Sequence, residues 1–170
     1  MEIAELSADE VRSAADELAQ LLLDAHASNM ALGLRGPLTR EHARETWLDT
    51  AARLDPERRV LLAALEDGIV VGTVQVVRAD AENGSRRAEI VRLAVRGDRR
   101  GGGIGRALLE AAAERAKGLG LRVLWLSTHA GTGSDKFYEA AGWIRLGVLP
   151  LYSERPDGTL VGSAFYFREV

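Results

Sequence analysis

One stretch, Ala88 to Leu119 (AEIVRLAVRGDRRGGGIGRALLEAAAERAKGL), limits what the chain can fold into. It opens with β-branched Ile90, Val91 and Val95 and passes through arginines and glycines from Arg96 to Gly105. Ile104, Ala107, Leu108, Ala111 and Ala112 then recur at helical spacing. The pattern predicts a strand, a glycine-rich turn, and a helix whose first turn lies inside the glycine cluster. Such a helix start presents backbone N–H groups without intrahelical partners and the positive end of the helix dipole. It is a ready site for a phosphate group.

Glycine spacing narrows the choice of phosphate ligand. A dinucleotide fingerprint needs G-x-G-x-x-G and an acidic residue about 20 residues on. Here Leu108 stands where the third small residue belongs, and no acidic residue closes Leu121–Ser127. A Walker loop needs Gly-Lys-Ser/Thr, which does not follow either. The run Arg100-Gly101-Gly102-Gly103-Ile104-Gly105, continued by Arg106-Ala107-Leu108-Leu109, resembles the R/Q-x-x-G-x-G/A signature of the GNAT superfamily of acyl-CoA N-acyltransferases. The resemblance implies that this loop, from Arg100 to Arg106, binds the pyrophosphate of acetyl-CoA mainly through backbone amides. The alternative is a loop that only turns the chain.

The remaining pattern predicts a single domain over residues 1–170. Met1–Leu6 reads as a short strand, and Ser7 with Glu10 forms a capping box. A helix follows with Val11, Ala14, Ala15, Leu18, Leu21, Leu22 and Ala25 on one face, ending near 26–28. Ser28–Pro37 reads as a loop, and Thr39 caps a second helix carrying Ala43, Trp47, Ala51 and Leu54. Val60–Leu65 and Ile69–Val77 flank Glu66-Asp67-Gly68 as a hairpin, with Gly72 marking a bulge or close backbone approach. Asn83-Gly84-Ser85 turns the chain into the strand Arg87–Val95. After the glycine loop come the strand Leu121–Ser127, a helix over Ser134–Ala141, and the strands Trp143–Tyr152 and Leu160–Arg168 around Pro156-Asp157-Gly158. The order is that of the GNAT fold: α/β, one mostly antiparallel mixed central sheet with helices on both faces.

Composition bounds the chemistry. With no cysteine the chain cannot form disulfides, thiolate metal sites or a cysteine acyl-enzyme, and three scattered histidines argue against zinc. A net charge of −3 argues against a nucleic-acid partner, and no apolar run approaches the length of a membrane span. Glu2 and Glu5 stand where a signal peptide would be basic and then apolar, so the expectation is a cytoplasmic protein. The expected partner is a small-molecule amine, with no metal, and a homodimer is allowed.

The resemblance also assigns candidate catalytic groups. In GNAT enzymes the strand before the loop bulges and splays from its neighbour, and by position the backbone groups of Leu93, Ala94 and Val95 face pantetheine and the thioester carbonyl. Phe137-Tyr138-Glu139-Ala140-Ala141-Gly142-Trp143 resembles the family's F/L-Y-x-x-x-G-F/W segment, whose tyrosine serves many members as the acid for the departing thiolate. A phenol with pKa near 10 is protonated at neutral pH and can donate to it; the alternative is that Tyr138 only packs its ring and wets its hydroxyl. The amine must lose a proton before attack. Glu89, the one acidic side chain of its strand, is the candidate base, and the alternative is a salt bridge to Arg87 or Arg92. Strict alternation puts Glu89 on one face with Val91 and Leu93, a phase that a bulge would alter. His129, closing the next strand, is a further proton acceptor to consider. The asparagine frequent in the family ahead of the Phe-Tyr pair is Gly131 here, and Ser134 replaces the usual alanine.

Within the superfamily, RAEIVRLAV, THAGTGSDKFYEAAGW and LPLYSERPDGTLVGSAFYF resemble the tabtoxin resistance acetyltransferases. The resemblance implies an enzyme that moves an acetyl group from acetyl-CoA to a primary amine of a small molecule, an amino-acid-like metabolite or antibiotic, by direct transfer. Two alternatives remain open: an acetyltransferase acting on a protein N-terminus or lysine, and a non-catalytic acyl-CoA-binding module.

Overall fold

Ser7 and Glu10 close the expected capping box, the serine backbone donating to the glutamate at 2.7 Å and its hydroxyl accepting from the Glu10 amide at 3.3 Å. The box starts α1 (Ala8–Ser13), which follows β1 (Glu2–Glu5). The single helix expected here is two, because the chain leaves helical geometry at Ala14 before α2 (Ala15–Ala27) begins. Val11, Leu18, Leu21, Leu22 and Ala25 of the expected stripe are buried. Thr39 caps α3 (Arg40–Ala52) by accepting from the His42 amide at 3.1 Å. Trp47, fully buried on α3, donates its indole N–H to the Leu18 carbonyl at 2.8 Å and so locks α3 to α2. The computed structural model describes residues 1–28, 30, 32–34, 36–155 and 157–170; parts of the loop 28–37 and Pro156 of the last turn lie outside them.

The hairpin of β2 (Arg59–Glu66) and β3 (Ile69–Arg78) turns through Asp67 and Gly68, both at positive φ, as an Asp-Gly turn requires. Gly72 satisfies both expectations. The register slips beside it, and a Cβ there would meet the Ala94 carbonyl oxygen at 3.1 Å and Leu108 at 3.1 Å. β4 (Arg87–Val95) leads into α4 (Ile104–Gly118), then come β5 (Val123–His129), α5 (Ser134–Ala140), β6 (Ile144–Glu154) and β7 (Leu160–Glu169). The seven strands lie in the order β1-β2-β3-β4-β5-β7-β6, antiparallel except for the neighbours β4 and β5.

Alternate residues of each strand build two cores. Val74, Val76, Ala88, Ile90, Leu124 and Leu126 pack with Leu108, Leu109 and Ala112 of α4 on one face. Leu61, Ala63, Val70 and Ala94 pack with Leu18, Leu22 and Trp47 of α2 and α3 on the other. Helices therefore cover both faces, as the sequence pattern predicts. The buried Leu and Val side chains each contribute roughly 1.5–3 kcal/mol through area removed from water. They fix the relative position of β4, α4 and α5, which carry the site.

Candidate active site

β4 and β5 pair only at Arg87–Val123, Ala88–Leu124 and Glu89–Trp125, although β4 runs on to Val95 and β5 to His129. The cause lies on β4. Val91 pairs with Gln75 and Ala94 with Thr73, so Arg92 and Leu93 together face Val74, and Arg92 takes a φ of 52°. This is a β-bulge, which bends its strand and twists it away. Beyond Glu89 the β5-facing backbone groups of β4 have no strand partner, and a wedge opens between the two strands.

A cleft of about 660 Å³ fills the wedge on the α4 side, a size typical of small-molecule sites. Leu93 and Val95 line it from β4, Thr128 and His129 from β5, and Phe137, Tyr138 and Ala141 from the α5 segment. Arg100, Gly101, Gly103, Ile104, Gly105 and Arg106 close it from the loop. Three expected residues do not line it: Ala94 is buried toward α2 and α3, Gly102 is not among the lining residues, and Glu89 lies on the other face of the sheet, toward α3. For Ala94 the reason is the strand's alternation about the bulge.

The loop is shaped to leave amides free. Gly103 precedes α4 at φ 85°, a conformation that costs side-chain-bearing residues roughly 1–2 kcal/mol, and no side chain caps the helix. The amides of Ile104, Gly105 and Arg106 thus lack intrahelical acceptors and point from the positive end of a 15-residue helix. At Gly105 a Cβ would come within 3.2 Å of the Phe137 ring, so the glycine lets α5 approach. Arg100 acts as a brace: its Nε donates to the Val95 carbonyl at 3.0 Å and its Nη1 to the Ser28 hydroxyl at 2.9 Å. It ties the loop to the end of β4 and the end of α2.

Tyr138 is 9 % exposed and packs among Phe137, Trp143 and Tyr166, with ring centroids 5.1, 6.2 and 5.5 Å away. Among the described residues nothing bonds its hydroxyl, and it lines the cleft. Burial, and then the neighbouring Tyr166, push the hydroxyl well above the ordinary phenol range. The phenol is therefore firmly neutral and a weaker acid than an isolated tyrosine. Tyr166 in turn donates to Asp135 at 2.8 Å, and the other Asp135 oxygen accepts from the Gly131 amide at 3.0 Å. This ties α5 to the loop after β5. His129 is buried at the end of β5 and its carbonyl accepts from the Thr132 hydroxyl at 2.9 Å.

Glu89 stands at the vertex of the wedge, opposite Trp125. It shares a face with Val91 but not with Leu93, because the bulge reverses the alternation and Leu93 packs toward α4. On the α3 side Glu89 joins Arg59, Gln75 and Arg92. Burial raises its carboxyl and the Arg59 guanidinium lowers it part of the way back, so Glu89 is a stronger base than an exposed glutamate. Among the described residues no group of three or more His, Cys, Asp or Glu is placed to hold a metal ion.

Against known proteins, the model of the Acetyltransferase (GNAT) family matches residues 16–143. The chain belongs to the GNAT acetyltransferase family. Mycothiol acetyltransferase of Propionibacterium freudenreichii subsp. shermanii is 34 % identical over 133 residues, which are 75 % of this chain and 40 % of that protein. The GNAT chain thus spans about two fifths of the length of this curated relative. Ribosomal-protein-alanine N-acetyltransferase from Brucella melitensis superposes with a TM-score of 0.78 at 23 % identity, covering 100 % of both chains. The yncA protein of Salmonella typhimurium, solved with its cofactor acetyl-CoA, gives a TM-score of 0.77 at 15 % identity, covering 99 % of this chain and 93 % of that one. At these identities the structural likeness establishes the fold.

Sequence reasoning missed three features of this GNAT site. Asp135 carried no motif of its own. Arg92 and Gln75 did carry a signal, since each interrupts an apolar strand (Ile90-Val91-Arg92-Leu93 and Val74-Gln75-Val76) where a polar side chain is costly to bury. The aromatic strip of Trp125, Phe165 and Tyr152, with centroids 6.2 and 5.0 Å apart along it, forms only when β5, β7 and β6 pair.

Proposed function

We propose that the chain is an N-acetyltransferase that moves an acetyl group from acetyl-CoA to a primary amine of a small molecule, acting as one domain over residues 1–170 in the cytoplasm. One observation carries the reading: the uncapped start of α4, the unpaired edge of β4 and Tyr138 converge on a single cleft. The cleft fits the cofactor's chemistry. Free amides at a helix N-terminus suit its pyrophosphate, and an unpaired strand edge suits its amide-bearing pantetheine arm. When bound, acetyl-CoA supplies an activated acetyl group as a thioester.

The amides of Ile104, Gly105 and Arg106 hold phosphate oxygens without moving, so little reorganisation is needed. Arg100 keeps the loop in that shape through Val95 and Ser28. Leu93 and Val95 orient the arm from the freed edge of β4. Glu89 accepts a proton from the amine, directly or through water, and its raised pKa strengthens it for that task. Tyr138, held neutral, donates a hydrogen bond to the leaving sulfur. Its raised pKa makes complete proton transfer to a thiolate unfavourable, since a thiol titrates near 8.5. The tyrosine therefore stabilises developing charge, and solvent supplies the final proton.

The test is release of free CoA thiol from acetyl-CoA across amino acids, polyamines, aminoglycosides and peptides. Amine-dependent release, with the amine gaining an acetyl group by mass, is the expected result. Release with peptides alone would move the acceptor to protein, and acetyl-CoA binding without release to any amine would reduce the chain to a binding module.

A further inference from the structure

The α3 side of the wedge holds a polar cluster that the fold alone does not explain. Arg92 is half-buried, lies 5.8 Å over the Trp47 ring and donates one hydrogen bond, from Nη1 to the Thr50 hydroxyl at 2.6 Å. Among the described residues it has no ion-pair partner, and its other N–H groups have no acceptor. Gln75, fully buried, accepts from Arg59 Nη1 at 3.0 Å through Oε1. That bond fixes the orientation of the amide, and Gln75 Nε2 is left buried without an acceptor. A buried donor left unpaired costs about 1–3 kcal/mol. Gln75 Nε2 is such a donor, and the half-buried Arg92 follows its β4 neighbour Val91 on the same sheet, where the bulge holds it at φ 52°.

The charges around them do not balance. Burial first, and then Arg59 and Arg53, lower the pKa of Arg92 to about 10, with Asp49 alone acting the other way. Arg59 has Glu89 and Asp80 in its field, but Asp80 is engaged by Arg58 at 2.5 Å. In the field of this cluster the guanidiniums of Arg59, Arg92 and the exposed Arg53 outnumber the carboxylates of Glu89 and the exposed Asp49 by one positive charge.

We propose that this cluster is an acceptor subsite for a carboxylate: the amine substrate carries a carboxylate that Arg92 and Gln75 Nε2 bind beside Arg59. The guanidinium fork matches a carboxylate in shape, a monoanion balances the surplus, and the orphaned amide gains its acceptor. Glu89, three residues before Arg92 on β4, then lies within reach of the amine of the same molecule. This inference rests on the acetyltransferase reading above and narrows its substrate class to amino acids and related amine-bearing carboxylates.

The experiment compares L-leucine with L-leucinamide and L-lysine with L-lysinamide, both as acetyl acceptors and by calorimetric binding without acetyl-CoA. The expected kcat/KM and affinity for each carboxylate exceed those of its carboxamide by about tenfold or more, the scale of a hydrogen-bonded charge. Arg92→Gln and Gln75→Glu each collapse that ratio toward one through KM and Kd for the carboxylate, and Arg92→Lys retains part of it. Acetyl-CoA affinity and melting temperature report whether a variant is folded, and if Arg92→Gln does not fold, Gln75→Glu and the ratio in the parent decide. Amines acetylated with no preference for the carboxylate overturn the inference and leave the activity standing. If no amine is acetylated, the activity reading falls, and calorimetry still decides the subsite: binding of L-leucine but not L-leucinamide supports it, and equal or absent binding overturns it.

Discussion

Half-buried Glu89 and buried Tyr138 serve opposite chemical ends, and substitution separates their roles from their packing. Burial raises the Glu89 carboxyl, so the folded state holds its proton to higher pH than the unfolded chain does. Folding is therefore disfavoured by this group once pH rises above its unfolded value, near 4.3. Glu89→Gln removes that burden. Its melting temperature at pH 7 should match or exceed the parent's, with the difference closing as pH falls to about 4. Turnover should drop about 10²-fold at neutral pH and recover in part as pH rises and free amine becomes abundant. A lower melting temperature with unchanged turnover would make Glu89 a structural residue. Tyr138→Phe keeps the rings of Phe137, Trp143 and Tyr166 in contact and deletes one oxygen. Here kcat should fall by about 10- to 10²-fold with KM for acetyl-CoA nearly unchanged, and an acyl donor with a more acidic thiol should narrow the gap to the parent. Wild-type turnover would remove the tyrosine from the chemistry. The Phe-Tyr segment was legible in the sequence because its spacing is local. The acidity of Tyr138 was not, because it is set first by burial in the folded core and then by Tyr166 of β7, neither of which local sequence shows.

Among the elements, strand, loop and helix from Ala88 to Gly118 follow from local pattern alone, and both capping residues, Ser7 and Thr39, stand where the sequence puts them. The bulge in β4 did not announce its position. No glycine marks it, and an arginine holds the left-handed backbone, so the face assigned to Leu93 by alternation was the wrong one. The same bulge yields an element-scale prediction. At most strand positions alanine is more stable than glycine, but at φ 52° a Cβ is strained. Arg92→Gly should therefore be more stable than Arg92→Ala by roughly 1 kcal/mol, read from denaturant midpoints. The reverse order would mean that β4 is regular through residue 92 and that the wedge has another origin. Gly103 at φ 85° obeys the same rule, so its substitution disturbs the free protein as well as the cleft.

At the scale of the whole molecule, the sheet order brings β4 and β5 together as parallel neighbours whose separation makes the cleft, with α4 and α5 on one side and α3 on the other. The topology was legible once the glycine loop suggested a family, because the order of elements matches it. The polar cluster on the α3 side was not, since Arg59, Gln75 and Arg92 come from three strands and meet only when those strands pair. The most direct test of the cleft as the acetyl-CoA site is a calorimetric titration of acetyl-CoA into the parent and into Gly105→Val. Gly105 lacks the positive φ of Gly103, and its added side chain would meet first the end of the partly exposed Phe137 ring, so the free variant should melt close to the parent. The prediction is one site per chain, with a dissociation constant at least about tenfold higher in the variant, a loss of about 1.4 kcal/mol. Equal affinity in the two proteins, or no binding to the parent, would contradict it.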